Sequence, residues 1–280
     1  MPLLTVITPV FNNLAYISLA IDNYLSQRCD HSELLIMDGG STDGTKEVIA
    51  QYAKDNIRIR WVSEKDQGQS DAMNKGIALA NGKYISFLNV DDFYSDGCLN
   101  EVSQILFQNP EIQYLVGDCN VWDENKKLIY VNRPSKVQKW HVFSGFHFSV
   151  NPSAYFYQKR LHDQVGLYPL DNHFNMDLEM ILRLRNVTTF HYYSKIWGNF
   201  RMLPNAKTFE DQFSNQLENR KQDLLIKYLA KQSIWVQFFT NFYKLERKYF
   251  PIINGLIHKV IDKIKYEFQS CINVKLFHKR

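Results

Sequence analysis

Short apolar runs near Leu3–Thr8, Leu34–Met37, Arg58–Val62 and Tyr84–Leu88 are the strongest periodic signal in the chain, and each is compact enough to read as a strand. Between them the spacing turns helical. Ile17, Ala20, Ile21, Tyr24 and Leu25 share one face, as do Val48, Ile49, Tyr52 and Ala53, and then Ala72, Met73, Gly76, Ile77 and Ala80. A strand followed by an amphipathic helix, repeated, predicts βα units around a mainly parallel sheet.

After residue 95 the order changes. A helix is expected near Leu99–Gln108, then short strands around Tyr114–Val116, Val121–Trp122 and Leu128–Val131, which predict a mixed or antiparallel portion suited to a second substrate. Arg133–Phe148 reads as a polar, aromatic loop able to cover a site, and the strand-like Ala154–Tyr157 leads to a helix over Asp177–Arg185. Further on, Ile252, Leu256, Val260, Ile264 and Phe268 recur every four residues, with Ile253, Ile257 and Ile261 beside them. Lys259, Asp262, Lys263 and Tyr266 fall elsewhere on that helical wheel. Two readings stay open: a helix packed on the body, or one lying in a membrane interface with its lysines on anionic lipid. Trp235, Phe238, Phe239, Phe242, Tyr243 and Tyr249 suit a headgroup region.

Charge sharpens the division. Residues 231–280 carry ten Lys/Arg against three Asp/Glu, a net of +7, whereas residues 1–230 carry 23 against 26, a net of −3. The chain therefore reads as a domain over 1–230, with a donor-binding part about 1–95 and an acceptor-binding part about 96–205, joined to a basic aromatic tail. With 45% apolar and 22% charged residues it is too apolar for disorder. Cys29, Cys98, Cys119 and Cys271 form no C-x-x-C pair, so reduced thiols and a cytoplasmic setting are expected. The opening Met1–Thr8 lacks a basic n-region and reads as a first strand, and no run is long and apolar enough to span a bilayer. A peripheral place on the inner face of a membrane is the expectation. No basic recognition motif accompanies the aromatics, so nucleic acid is not an expected partner.

The chemistry is sought where strands end, because open α/β sheets bind ligands there. Thr8–Asn13, Asp38–Thr45, Glu64–Gly68 and Asn89–Asp92 follow the four strands. The first loop is not G-x-G-x-x-G, and there is no G-x-x-x-x-G-K-[ST], so a dinucleotide fingerprint and a P-loop are both missing. Adjacent Asp91 and Asp92 suit a hard divalent cation that leaves positions for diphosphate oxygens. Taken singly, Asp91-Asp92 reads equally as a solvated turn, and Asp38, Asp43 or Asp66 as a turn or cap. Four acidic or Gly-rich loops at one sheet edge argue for a site.

That order, Thr5-Val6-Ile7-Thr8-Pro9-Val10-Phe11-Asn12, then Asp38-Gly39-Gly40-Ser41-Thr42-Asp43-Gly44-Thr45, then Asp66-Gln67-Gly68-Gln69-Ser70-Asp71-Ala72-Met73-Asn74-Lys75-Gly76, then Asn89-Val90-Asp91-Asp92, closely resembles family 2 glycosyltransferases over roughly residues 3–205. The resemblance implies an α/β fold of the GT-A type, a mostly parallel nucleotide-binding sheet, mixed toward the acceptor side, with a C-terminal helical extension. It implies that Thr8, Pro9 and Phe11 border the nucleoside, that Asp38 and Asp66 line base and ribose, and that Asp92, helped by Asp91, holds Mn2+ or Mg2+ on the diphosphate. Asp71, Asn74 and Lys75 would lie near the same pocket. Many members carry a second acid directly after the first in the Asp38 motif, where it accepts a uracil N–H; here Gly39 stands.

Asn151–Arg160 resembles the segment that closes the acceptor side, and Asn175–Leu184 the segment bearing the catalytic base. Asp177 is the candidate base, with Glu179 as the alternative; Asp at a helix start is also a routine N-cap. The implied reaction is a metal-assisted, inverting transfer of one sugar from a nucleotide-sugar donor to a hydroxyl of a membrane-associated glycan or lipid-linked acceptor. The Q-x-x-R-W motif of processive members is not found after Asp177, where Leu182-Arg183-Leu184 stands. A sugar nucleotidyltransferase would show a Gly-rich G-x-G-x-R-like loop after strand one, and a non-catalytic binding module would be expected to lose Asp92 or Asp177; neither pattern is found.

Overall fold

Alternation along each central strand sends successive side chains to opposite faces, and here both faces are covered. The computed structural model describes residues 1–135, 137–145, 151–171, 175–203 and 215–249, with backbone alone at 215–218 and 249. The βα pattern of the first half is realised as β1 (Leu4–Val10), α1 (Leu14–Ser26), β2 (Ser32–Asp38), α2 (Thr45–Asp55), β3 (Ile59–Ser63), α3 (Gln69–Leu79) and β4 (Tyr84–Phe87). Ile7, Leu35, Met37 and Phe87 face α3, while Val6, Leu34 and Ile36 face α1 and α2.

β1 pairs in parallel with β2 and with β4, and β2 pairs in parallel with β3. The order β3-β2-β1-β4 reverses direction at β1/β4, so a crevice opens at the carboxyl ends of those two strands. α3 lies close against β1: a Cβ on Gly76 would come within 2.5 Å of the Ile7 side chain.

The second half supplies β5 (Phe93–Tyr94), α4 (Cys98–Gln108), β6 (Tyr114–Trp122), β7 (Leu128–Asn132), α5 (Lys139–Ser144), β8 (Tyr155–Gln158), α6 (His162–Val165), α7 (Met176–Val187), β9 (Phe190–Arg201), α8 (Asn215–Leu229) and α9 (Ile234–Tyr249). The sheet continues β4-β8-β6-β9-β5, with β8 antiparallel to β4 and β6, β9 parallel to β6, and β7 antiparallel to the far end of β6.

Two expectations change. Tyr114–Val116 and Val121–Trp122 are one strand, because Gly117 admits Trp197 and the Asp118 carboxylate is met by the Tyr192 hydroxyl at 2.7 Å. Part of the stretch expected as a loop at Arg133–Phe148 is α5, whose Trp140, Val142 and Phe143 are buried. Trp140 packs on Phe239 and His141 on Tyr243, so α9 is fastened to the body. The helix expected between Ile252 and Phe268 lies outside the described residues.

Candidate active site

The loops after β1 and β2 are stapled together by side chains. Asn12, left-handed at φ +46°, donates its N–H to the Ser41 hydroxyl at 2.7 Å and accepts the Thr42 N–H on its side-chain Oδ1 at 2.9 Å. Asp43 accepts the Leu14 N–H at 3.0 Å and the Thr45 hydroxyl at 2.6 Å, closing the start of α1, and those bonds hold its carboxyl below the usual range. Asp38, buried at the end of β2, accepts the N–H groups of Gly40 (3.2 Å) and Ser41 (3.1 Å) and the hydroxyls of Ser41 and Ser63. Its charge is spent on building the loop. Thr8 and Pro9 are buried in β1, and the Thr8 hydroxyl has no partner among the described residues; Phe11 stands 60% exposed at the rim.

Asp66 arrives from the loop after β3. Its Oδ1 accepts the Gly68 N–H at 2.8 Å, and its Oδ2 lies over Gly39, where a Cβ would approach it to 2.6 Å. Asp71 accepts the Gln67 N–H at 3.0 Å, capping α3, and pairs with Lys75, which also meets Glu64 at 2.8 Å. Asn74 gives both ends of its amide to the Tyr168 backbone, at 2.9 and 2.8 Å. These three therefore brace α3 in the described structure.

Asp91 and Asp92 follow β4 at the other side of the crevice. Asp92 is 1% exposed; its carboxylate accepts the Arg201 N–H at 3.1 Å and the Asn89 amide at 3.2 Å. Burial pushes both carboxyls up, and for Asp92 the neighbouring Asp91 adds to it. Two hard carboxylates short of positive charge fit a divalent cation, and among the described residues no third acid, His or Cys completes the set, so diphosphate and water oxygens would fill the remaining positions. Arg201, at the end of β9, donates to the Asp91 carbonyl at 3.0 Å and lies 4.7 Å from the Phe93 ring centre. Sequence reasoning missed Arg201, because only the parallel pairing of β6 with β9 carries it there.

Asp177, the second residue of α7, lies beside Tyr114, Tyr155, Tyr157 and Tyr168 around a small cavity. Its carboxylate has no hydrogen-bond partner among the described residues, and burial raises it to about 7. Glu179 is differently placed: Arg183 donates to it at 2.6 Å and the Tyr228 hydroxyl at 3.0 Å. The two halves meet on the first turn of α3. Gln69 donates to Asn89 at 3.0 Å, and the next residue, Ser70, to the sulfur of Met176 at 2.8 Å, one residue before Asp177. The tyrosine cluster carried no sequence signal, since its members come from β6, β8 and the segment before α7.

The family model for glycosyl transferase family 2 matches residues 5–165. The putative teichuronic acid biosynthesis glycosyltransferase TuaG of Bacillus subtilis (strain 168) is 36% identical over 108 residues, 38% of this chain and 43% of that protein. The match thus spans less than half of that relative. The crystal structure of S. aureus TarS 1-349 in complex with UDP-GlcNAc superposes with a TM-score of 0.69 at 15% identity, covering 93% of this chain and 76% of that one. The mannosyltransferase PcManGT of Pyrobaculum calidifontis, in complex with GDP-Man and Mn2+, gives 0.56 at 16% identity over 89% of this chain and 81% of that one. The fold is the GT-A type. With the strand-end acids gathered at the β1/β4 crevice and more than half of its length matched, the chain belongs to glycosyl transferase family 2.

Proposed function

We propose that this chain transfers one sugar, with inversion, from a nucleotide-sugar donor to a hydroxyl of a membrane-associated glycan or lipid-linked acceptor. The observation that carries the reading is the bridge made by Gln69 and Ser70, which ties the Asp91-Asp92 loop and the Asp177 helix to one helical turn. The base would rest against Phe11, the ribose near Asp38 and Asp66, and the diphosphate against Asp91, Asp92 and Arg201. A divalent cation held by Asp91 and Asp92 would neutralise the departing diphosphate. Asp71, Asn74 and Lys75 support this pocket through α3.

Asp177 takes the proton of the attacking hydroxyl. The new bond forms from that oxygen to the anomeric carbon while the bond to the β-phosphate oxygen breaks on the opposite face, which inverts the centre. A carboxyl raised to about 7 is well matched to this task near neutral pH. Donor turnover in the presence of Mn2+, read as release of nucleoside diphosphate, tests the reading. Loss of turnover in Asp177→Asn with donor binding intact supports it, and normal turnover removes Asp177 from the mechanism.

The membrane part of the reading is supported by α9, whose Ile234, Trp235, Phe238, Phe242 and Leu245 are exposed, and by the net +7 of residues 231–280. Among the described residues no helix is long and apolar enough to cross a bilayer.

A further inference from the structure

Of the four tyrosines around Asp177, three have hydroxyls that are already committed. The Tyr155 hydroxyl accepts the Asn151 N–H at 2.5 Å. The other two are ordered by a histidine. His162 Nδ1 lies 2.8 Å from the Gly166 carbonyl, which only accepts, so that nitrogen carries the ring proton and Nε2 is bare. Burial holds the ring below the ordinary histidine value, against the Gly166 carbonyl and Asp163 and with Lys159, which keeps this neutral form. The Tyr157 hydroxyl, 3.1 Å from Nε2, must then donate to it, and the Tyr168 hydroxyl donates in turn to the Tyr157 oxygen. Tyr168 is left with lone pairs alone.

Tyr114 differs. Its hydroxyl is buried with no hydrogen-bond partner among the described residues, although its ring is firmly held, stacked on Phe190 at 3.8 Å between centres and on Tyr157 at 5.5 Å. A buried hydroxyl left unmet is costly and rare. Tyr114, Tyr168 and Asp177 line one cavity of about 10 Å3, the room a single water takes, with Phe87, Met180 and Leu184 among its apolar walls. Among the described residues its titratable groups are Asp177 and the four tyrosines. The nearby Cys119 thiol is kept neutral by burial, and Glu179 on the same helix is paired with Arg183.

We infer that one bound water joins the Tyr114 hydroxyl to the Asp177 carboxylate, making Tyr114 a positioning residue that steadies the ionised base. This rests on Asp177 being the base, as proposed above. The water's bonds close: it accepts the Tyr114 proton in a hydrogen bond, donates one O–H to Asp177 and donates the other to the Tyr168 oxygen. Asp177 is half-buried, so a substrate hydroxyl has room to reach it while the cavity backs it. A donor aimed at the carboxyl favours its charged form, so Tyr114 works against the burial that raises this group.

Infrared titration of the full chain without substrate tests the inference, following the protonated-carboxyl band that is missing from Asp177→Asn. Tyr114→Phe keeps the stacked ring and removes only the oxygen. It should raise the proton affinity of Asp177 roughly tenfold, the size of one hydrogen bond to a charged group. A Tyr114 that merely filled space would leave the titration where it is. A high-resolution crystal structure of the wild type should show one ordered water within hydrogen-bonding distance of Tyr114 and Asp177. An Asp177 titration unmoved by Tyr114→Phe, or a wild-type cavity holding no water, overturns the inference while leaving Asp177 as the base. Normal turnover of Asp177→Asn removes the base itself, and the inference with it.

Discussion

Asp177 carries a carboxyl whose surroundings offer it four tyrosines and, among the described residues, no compensating cation, which is why burial sets its proton affinity at about 7. As a base it works only when charged, so turnover should climb with pH up to about 7 and then level. Asp177→Asn should be flat and about 10²–10⁴-fold lower. Stability moves the other way. The folded state holds this proton more tightly than the unfolded chain, whose carboxyl has an ordinary value of about 3.9, so its stabilising contribution is complete below about pH 4 and fades as pH rises toward 7. Melting curves of Asp177→Asn should therefore show a gain over the wild type that grows from about pH 4 to 7 and then stays constant. A gain independent of pH would mean that the side chain is not buried as a proton-binding group.

Among elements, α3 has the most consequence, since its first turn holds both Asn89 and Met176 while its body presses on β1 through Gly76. Gly76→Ala pushes a methyl group into Ile7 on a central strand that cannot yield. Urea denaturation should show a loss of about 1–3 kcal/mol, the usual cost of overpacking, and turnover should fall with it because Gln69 and Ser70 move. An unchanged midpoint would show that helix and strand separate freely. The first four strands and α1–α3 were legible because apolar periodicity and burial coincide in them. β6 reads as two pieces in the sequence because Gly117 and Asp118 interrupt its apolar run, and their compensation by Trp197 and Tyr192 is long-range. α5 was hidden because six residues carry little periodicity and its burial depends on α9.

At the scale of the whole molecule, the described part of the basic aromatic region is tied to the body. α9 is fastened to α5 by the Trp140–Phe239 and His141–Tyr243 contacts and by the Thr240 hydroxyl on the Trp140 carbonyl at 3.4 Å. A chain ending after Ala230 should therefore melt earlier than the full chain, since Trp140 and His141 lose cover. A chain ending after Tyr249 should float less with anionic liposomes, and salt should weaken flotation of the full chain through screening over about 8–10 Å. Equal flotation of the full and shortened chains would remove the basic segment from membrane binding. The acidic loops were legible as a set from sequence, yet their division of labour was not. Asp38 and Asp71 serve the backbone, Asp92 accepts the Arg201 N–H and the Asn89 amide, and among the described residues Asp66 Oδ2 and the Asp177 carboxylate have no hydrogen-bond partner.

The donor site is tested most directly by titrating UDP against the full chain, with Mn2+ and with the metal chelated, and repeating the titration on Asp92→Ala. Binding in the wild type should weaken at least about tenfold without metal, and in Asp92→Ala the metal should make no difference, because a single carboxylate is left to hold a hard cation against water. Equal UDP affinity with and without Mn2+ in the wild type, or full metal dependence in Asp92→Ala, would contradict a donor site built on the Asp91-Asp92 pair.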